Sequence, residues 1–540
     1  MIKIAKLIIT DRFFDGYNFQ EGIYIIVINN GIITKLDKVD ESVEIKGIKK
    51  DDERIEDLRG YTLTPGIIDS HNHFTLTALK LKFQINLSGV SNFKELKTTL
   101  LNNSDKYKDG WILGFGLNEF NLAEQKLPTV KDLDEISLDS PIYLAQSSEH
   151  YAVCNSTALK IAGINKNTKI PFGGSIGRDE KGELNGILYE EPAMDMVLGK
   201  IPDYSLKDYE DSLLYTSKLY RLNGLTTVKD TGDVDEEKRI TALNNLSENG
   251  DLAICVCISI PINSREELQK KIALSEKIRE NNYFKFTGFK LFMDGSSLSR
   301  TAWVKNVWNK NYTEVDNNNF GTPLWKLEDF YYVVSELAKL NKTISIHTVG
   351  DRAISTAIDA IKQNRSKSQN FALVHCYIPS DEDLKDIKDL GISIETQAAF
   401  LHFLGGGILS NLGESRGNRL FPYKYMIDNE INVCNGSDSP ITPFEPAYGI
   451  VSAMKREVMF KGKKVVLNKE QCLSLEETLK SYTSNCAKAL KLDNLGKIAV
   501  GALADFTVWK KIPSNFEEIT RDNLFYDVIL HGKSVLHNFS

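Results

Sequence analysis

The sequence predicts an α/β fold: a (β/α)8, TIM-like barrel with a large insertion after its first strand, plus a small β-sandwich domain built from both chain termini. Three observations carry this expectation. From about residue 60 to residue 440, short apolar runs alternate with segments of helical period, the pattern of βα units. Strand-like runs recur near both ends of the chain. The first two barrel runs lie about 150 residues apart, far more than one crossover needs.

At the N-terminus, Ile2 to Thr10, Gly22 to Asn29 and Gly31 to Leu36 read as strands, the last two joined by the turn signal Asn29-Asn30-Gly31. The first of them reaches charge again after a very short apolar run, so it reads as a strand and not as a signal peptide. The charge-dense run Lys46 to Arg59 reads as a solvated turn region. Asp505 to Trp509 and Asp527 to Leu536 are strand-like again, so residues 1–60 and 488–540 are assigned to one small β domain and 61–487 to the barrel.

The barrel strands are read at Thr64 to His73, Gly224 to Asp230, Leu252 to Ser259, Thr287 to Asp294, Thr343 to His347, Phe371 to His375, Gly391 to Gln397 and Ile431 to Asp438. Helical periodicity fills the gaps between several of them, as in Ala353, Ile354, Ala357, Ile358 and Ile361 after an expected Asp351 cap. Eight such units close into a barrel whose chemistry sits at the carboxyl ends of the strands. Residues 76–205 do not fit the repeat. They hold strand-like pieces of their own, Trp111 to Phe115 and Pro141 to Gln146, and the turn-rich Gly173-Gly174, and are read as an insertion over the barrel mouth. Asn317 to Asn319 and Gly405 to Gly407 read as short loops, and Leu401 to Gly413 as a mobile flap.

Composition narrows the function. A chain of 540 residues with 42% hydrophobic and 26% charged residues is ordinary for a globular protein, and a formal charge of −7 gives no footprint for nucleic acid. No window approaches the apolar length needed to span a bilayer, so no membrane partner is expected. Seven scattered cysteines with no C-x-x-C pair suit reduced thiols in a cytoplasm, and Cys255 and Cys257 read as small buried hydrophobes.

The chemistry begins at the first barrel strand, where Asp69, His71 and His73 alternate with period two and share a face. Two half-exposed loop histidines would give the same motif, so its meaning depends on what lies downstream. Downstream, Lys290 lies in the fourth strand, His347 and His375 end the fifth and sixth, and Asp438 ends the eighth. Four of eight histidines thus occupy positions where a barrel places catalytic groups. Imidazole and carboxylate together suit zinc or a similar divalent metal. His402, His531 and His537 have no metal-like neighbours in sequence and read as bystanders.

These residues sit in motifs that resemble the amidohydrolase superfamily, and within it the YtcJ-like branch that includes N-substituted formamide deformylases. The resemblance runs from Asn30-Gly-Ile-Ile through Leu63-Thr-Pro-Gly-Ile-Ile-Asp-Ser-His-Asn-His73 to Tyr482-Thr-Ser-Asn-Cys-Ala487 and Gly501-Ala-Leu-Ala-Asp505. Branch-level matches are Trp111 to Gly116, Asn155 to Leu159, Lys290 to Ser296, His347 to Ala353 and Gly436 to Pro440.

The resemblance implies a metal-dependent hydrolase of an amide or other C–N bond, of N-acyl or N-formyl type, in a small-molecule substrate. It implies that His71 and His73 bind the more buried of one or two ions, and that His347 and His375 bind the second. It further implies that Lys290, carboxylated by carbon dioxide, bridges the two ions. A desolvated interior lysine loses its charge, and the neutral amine is the form that reacts; a lysine reaching solvent beside Lys285 is the alternative. A metal makes hydroxide available at neutral pH and polarises the carbonyl. Asp438 is then both ligand and general acid–base, and Asp69 and Asp294 support the ligands from behind. His150 matches a branch histidine expected to contact substrate, with Trp111 and Arg352 as further contacts. A homodimer is also expected from the superfamily. Val374 and Ala398 depart from the branch, which carries Glu and Pro there; neither change removes a ligand. A deaminase or isomerase on the same fold, and a non-catalytic barrel scaffold, are the competing readings.

Overall fold

The computed structural model describes residues 6–39, 55–106, 108–147, 149–171, 174–232, 234–309, 319–521 and 523–534. Ile2 to Ala5, most of the charge run from Lys46, Ser148, Gly173, Asn317, Asn318 and the tail including His537 lie outside them. The chain divides into two compact units, Met1–Phe74 with Ser217–Ser540, and Thr75–Thr216.

In the first unit, strands from both ends of the chain share one sheet. In spatial order these are Phe525–Ile529, Phe506–Trp509, Thr62–Pro65, Lys6–Phe14, Phe19–Asn29 and Ile32–Lys38, with Ile55–Asp57 beside Lys6–Phe14. The turn at Asn30 and Gly31 has φ of 51° and 79°, and Asn29 pairs with Ile32 across it. That is a two-residue hairpin of the primed type, which Asn-Gly favours because both residues tolerate positive φ. Ile8, Ile26, Ile28, Ile33, Phe506 and Val508 are among the buried residues that give the sheet its apolar face. The described terminal strands thus hydrogen-bond into one sheet instead of the two facing sheets of a sandwich. The reason is that Phe506–Trp509 pairs antiparallel with Thr62–Pro65, and Lys6–Phe14 joins the other edge of Thr62–Pro65 through the Phe13/Leu63 bridge.

The same unit holds eight parallel strands in sequence order: Ile67–Asn72, Leu225–Asp230, Cys255–Pro261, Phe284–Phe292, Thr343–Thr348, Phe371–His375, Ser393–Thr396 and Val433–Asn435. They form a nearly closed barrel. Seven junctions are parallel ladders, two of them with register shifts; the eighth, between the last strand and the first, is held by separate hydrogen bonds. Ser70 Oγ donates to the Asn435 carbonyl at 2.9 Å, and the Asp438 N–H donates to the His71 carbonyl at 2.8 Å. The chain can come this close only because residue 436 is glycine. A Cβ there would lie 2.6 Å from the His71 nitrogen and 2.8 Å from Asp69 Oδ1.

Several expected boundaries move. The run Thr64 to His73 is split at Gly66: Thr62–Pro65 belongs to the terminal sheet and Ile67–Asn72 to the barrel, so His73 follows the strand's end. Asp294 likewise lies past its strand, in an isolated bridge to Pro323. The expected cap Asp351 is the first residue of the helix Asp351–Lys362; Gly350 occupies the cap position, and the Asp351 carboxylate accepts the Lys305 N–H at 2.7 Å. The glycine-rich run is not a loop. Gly405–Leu412 is helical, after the short helix Ala399–Phe403, because Gly405 and Gly406 let it press on Val458 and on the Met459 carbonyl of the strand Glu457–Phe460.

Inside the barrel, residues two apart on a strand share the inward face. Lys229 of the second strand, Ser345 of the fifth and Glu395 of the seventh meet there, all fully buried. Lys229 Nζ donates to both Glu395 oxygens, at 2.6 and 2.8 Å, and to Ser345 Oγ at 2.6 Å. Burial would raise the Glu395 carboxyl, but the lysine charge outweighs it and holds the group down to about 2.

The second unit carries a mixed six-stranded sheet in the order Ser175–Arg178, Leu184–Tyr189, Tyr151–Cys154, Ile142–Gln146, Ile112–Leu117 and Ile85–Asn86. Two separate clusters of its buried side chains form its core, one around Trp111, Leu113 and Leu188 and one around Ile112, Leu144 and Val153.

Gly436→Ala is expected to lose about 1–3 kcal/mol by overpacking the barrel's closing seam, read as a lower thermal midpoint. Gly89→Ala, where an added Cβ meets nothing within 4 Å, is the control. The buried ion pair gives a pH signature. A carboxyl held at about 2 instead of its ordinary 4.5 contributes stability above pH 4.5 that is lost as pH falls toward 2. The melting temperature of the wild type should therefore drop more steeply below pH 4.5 than that of a Lys229→Met/Glu395→Leu double variant, whose neutral-pH stability stays close to wild type. Either single change should cost about 3–5 kcal/mol, because it strands a buried charge.

Candidate metal centre

At the carboxyl ends of the barrel strands, His71, His73 and Asp438 come together with one ligand atom each, all within 4.8 Å of one another. His71 Nε2 lies 3.3 Å and His73 Nε2 3.2 Å from Asp438 Oδ1. All three residues are buried. Asp438 reaches this point by a backbone turn at φ 56°, in the left-handed region that side chains with a Cβ rarely adopt. Its Oδ1 is shielded from solvent, and no donor among the described residues meets it with hydrogen-bond geometry. Burial would raise the Asp438 carboxyl, yet the His71 and His73 imidazoles outweigh it and hold the group well below the usual carboxylate range. A carboxylate oxygen facing two imidazole nitrogens is a donor set that a divalent ion such as zinc satisfies.

The other half of the site is adjacent, with the His71 and His375 ring centroids 5.5 Å apart. His375 ends the sixth strand at φ 68°, which turns its imidazole toward the fifth strand. There His375 Nε2 lies 3.0 Å from His347 Nδ1. The outer nitrogens are held as well: His375 Nδ1 by Gln397 Oε1 at 2.7 Å, and His347 Nε2 by the Gly295 carbonyl at 3.1 Å. Burial first, and then the proximity of other cationic groups, keeps these rings neutral. It takes His375 down to about 3 and His347 well below the ordinary histidine value; His71 is lowered by burial and by Lys290. Neutral imidazole is the form that ligates metal. Lys290 is fully buried in the fourth strand with Nζ 4.9 Å from the Phe292 ring centroid, and its charge acts on His71, His347 and His375 alike.

Two buried carboxylates brace this arrangement through the backbone. Asp69 accepts from the His71 N–H at 3.2 Å, the Asn72 side chain at 2.9 Å, and Ser437 through its N–H at 3.1 Å and Oγ at 2.7 Å, which ties the first strand to the residue before Asp438. Burial pushes its carboxyl up to about 6 against the donors of Ser437 and Asn72. Asp294 accepts from the backbone N–H groups of Val349, Gly350 and Trp303 at 2.8–3.0 Å, fixing the turn that follows His347, and burial pushes it up to about 7.

The remaining sequence candidates are placed as follows. His150 belongs to the 75–216 unit, where its Nδ1 lies 2.9 Å from Glu190 Oε2. Trp111 is only 4% exposed in that unit's core, so packing accounts for it. Arg352, in the first turn of its helix, lies over the rings of Trp303 and Phe320. His402 stacks on Phe516 with centroids 3.8 Å apart, away from any metal-like cluster, and His531 Nδ1 faces Asp505 at 3.3 Å. Sequence reasoning gave no role to Gln397, Glu395, Lys229 or Ser437, nor to Thr231, whose Oγ1 lies 3.3 Å from His73 Nδ1. A signal was present: Lys229 and Glu395 are charged residues within barrel strands.

Comparison with known proteins agrees with this geometry. The amidohydrolase family pattern matches residues 54–536. YtcJ of Bacillus subtilis is 27% identical over 84% of each chain. The N-substituted formamide deformylase of Arthrobacter pascens is 26% identical over 88% of each. Among solved structures, a metal-dependent hydrolase of Pyrococcus horikoshii shares the fold with a TM-score of 0.75 at 24% identity, over 95% of this chain and 99% of that one. Barrel, ligand cluster and matched length lead to one conclusion: the chain belongs to the amidohydrolase family, in its YtcJ-like branch.

Proposed function

We propose that the chain hydrolyses an amide or other C–N bond, of N-acyl or N-formyl type, in a small molecule, with a divalent metal, zinc, at the barrel mouth. The observation that carries this reading is the convergence of His71, His73 and Asp438, beside the His347–His375 pair, at the carboxyl ends of the strands. Hydrolysis of a formamide by a relative of matched length supports the choice of bond. In this reading His71, His73 and Asp438 would hold one ion and His347 and His375 a second, and Lys290, carboxylated, would be a ligand to both. When bound, the metal supplies Lewis acidity, which makes water nucleophilic at neutral pH and polarises a carbonyl.

The side chains do the rest. The Asp438 carboxylate takes the proton of the attacking water and delivers it to the leaving nitrogen, a transfer that needs it within hydrogen-bond reach of both. The neutral imidazoles stay unprotonated because burial disfavours their charged forms. Asp69 and Asp294 keep the turns before Asp438 and after His347 from shifting, which matters because small misplacements of reacting groups cost rate steeply. We place the protein in the cytoplasm on the strength of its unpaired thiols, all seven of which form no disulfide. No helix among the described residues is long and apolar enough to cross a membrane.

Three measurements test the reading. Elemental analysis of the purified chain should find a bound divalent metal. Chelation should abolish turnover of an N-formyl or N-acyl amine found by screening, and zinc or manganese with bicarbonate should restore it; turnover untouched by complete metal removal would end the proposal. Asp438→Asn keeps the shape of the side chain but not its basicity and should lower kcat by about 10²–10⁴.

A further inference from the structure

The seventh barrel strand and the residue that follows it address both halves of the site, through Glu395 and Gln397. Gln397 Oε1 lies 2.7 Å from His375 Nδ1, and two residues earlier Glu395 Oε2 lies 3.7 Å from His71 Nδ1. His71 Nδ1 is buried and has no hydrogen-bond partner among the described residues. Its other nitrogen, Nε2, is the one that faces Asp438 Oδ1 at 3.3 Å. If Nε2 is to offer a lone pair to a metal, the proton must sit on Nδ1, and what Nδ1 faces decides whether it does.

Packing does not explain the charge there. Barrel interiors fill well with branched apolar side chains, and an apolar pair in place of a buried ion pair is often as stable or more so. Glu395 is also aimed. Both its oxygens accept from Lys229, Oε1 accepts in addition from Ser345 Oγ at 3.1 Å, and the remaining acceptor capacity of Oε2 is on the side of His71.

We propose that Glu395, held by Lys229 and Ser345, is a positioning residue for His71: its carboxylate fixes the proton on Nδ1 and presents Nε2 as a neutral donor, as Gln397 does for His375. The proposal rests on the metal site put forward above. No group other than the ring and the carboxylate is required, and no proton is transferred.

Zinc affinity measured by chelator competition, together with the visible absorption of the cobalt-substituted chain, tests it. Lys229→Met/Glu395→Leu removes the carboxylate without stranding a charge, and Lys229→Met/Glu395→Gln leaves an acceptor oxygen facing Nδ1. The leucine variant should bind zinc about 10–100-fold more weakly than wild type, with a shifted cobalt spectrum and an unchanged melting temperature of the metal-free chain. The glutamine variant should recover most of the affinity. Should the leucine variant fail to fold, Lys229→Met/Glu395→Ala is read the same way. Affinities of both variants within about threefold of wild type and unaltered cobalt spectra would overturn the proposal, leaving the ion pair a purely structural one. A wild-type chain that takes up no zinc at all would overturn the metal centre, and this inference with it.

Discussion

The arrangement depends on one close approach, that of the eighth barrel strand to the first. His71 and His73 come from one side of that junction and Asp438 from the other, so the three ligand atoms meet only if the barrel closes there. No regular ladder does the closing. Hydrogen bonds from Ser70 to Asn435, from Asp438 to His71 and from His73 to Ser439 span the junction, and Gly436 leaves the space they need. Asp69 reinforces it by gathering donors from His71, Asn72 and Ser437 on one carboxylate. Fold closure and site assembly are therefore the same event, and a side chain at 436 would disturb both.

A second constraint is electrostatic. The barrel lumen holds two lysines, a glutamate and several histidines with little solvent to screen them. The chain resolves this by pairing Lys229 with Glu395 and by keeping the histidines neutral through burial. Each choice has a chemical use. Neutral imidazoles are ready ligands, and the paired carboxylate lies beside a ring nitrogen that would otherwise face no acceptor. The same low polarity strengthens every charge interaction at the site. Backbone strain is present at the same place, since His375 at the end of its strand and Asp438 in the turn after the eighth both hold positive φ.

How much of this was legible in the sequence depended on periodicity and range. The eight barrel strands were readable because short strand-like runs recur along the chain and several are followed by a segment of helical period. Their ends were read less well. Thr64 to His73 is one apolar stretch in sequence but two strands in space, because Gly66 is packed against Thr226 and the chain changes sheet there. The glycines at 405–407 suggested a loop, since glycine is a poor helix former; they are helical because contact with Val458 and Met459 leaves no room for a side chain. Tertiary packing overruled local preference at that point.

By itself the sequence determined the αβ alternation, the pairing of the two chain ends in one small β region, and the set of ligand-type residues His71, His73, Lys290, His347, His375 and Asp438. These follow from local pattern, because strand ends and residue chemistry can be read a few positions at a time. Only the tertiary structure decided which of those residues face each other and which nitrogen each ring presents. It alone brought Lys229 and Glu395 together across 166 positions of chain, and Ser437 to Asp69 across 368. Such contacts are set by barrel closure, and no local pattern encodes the distance between the first strand and the last.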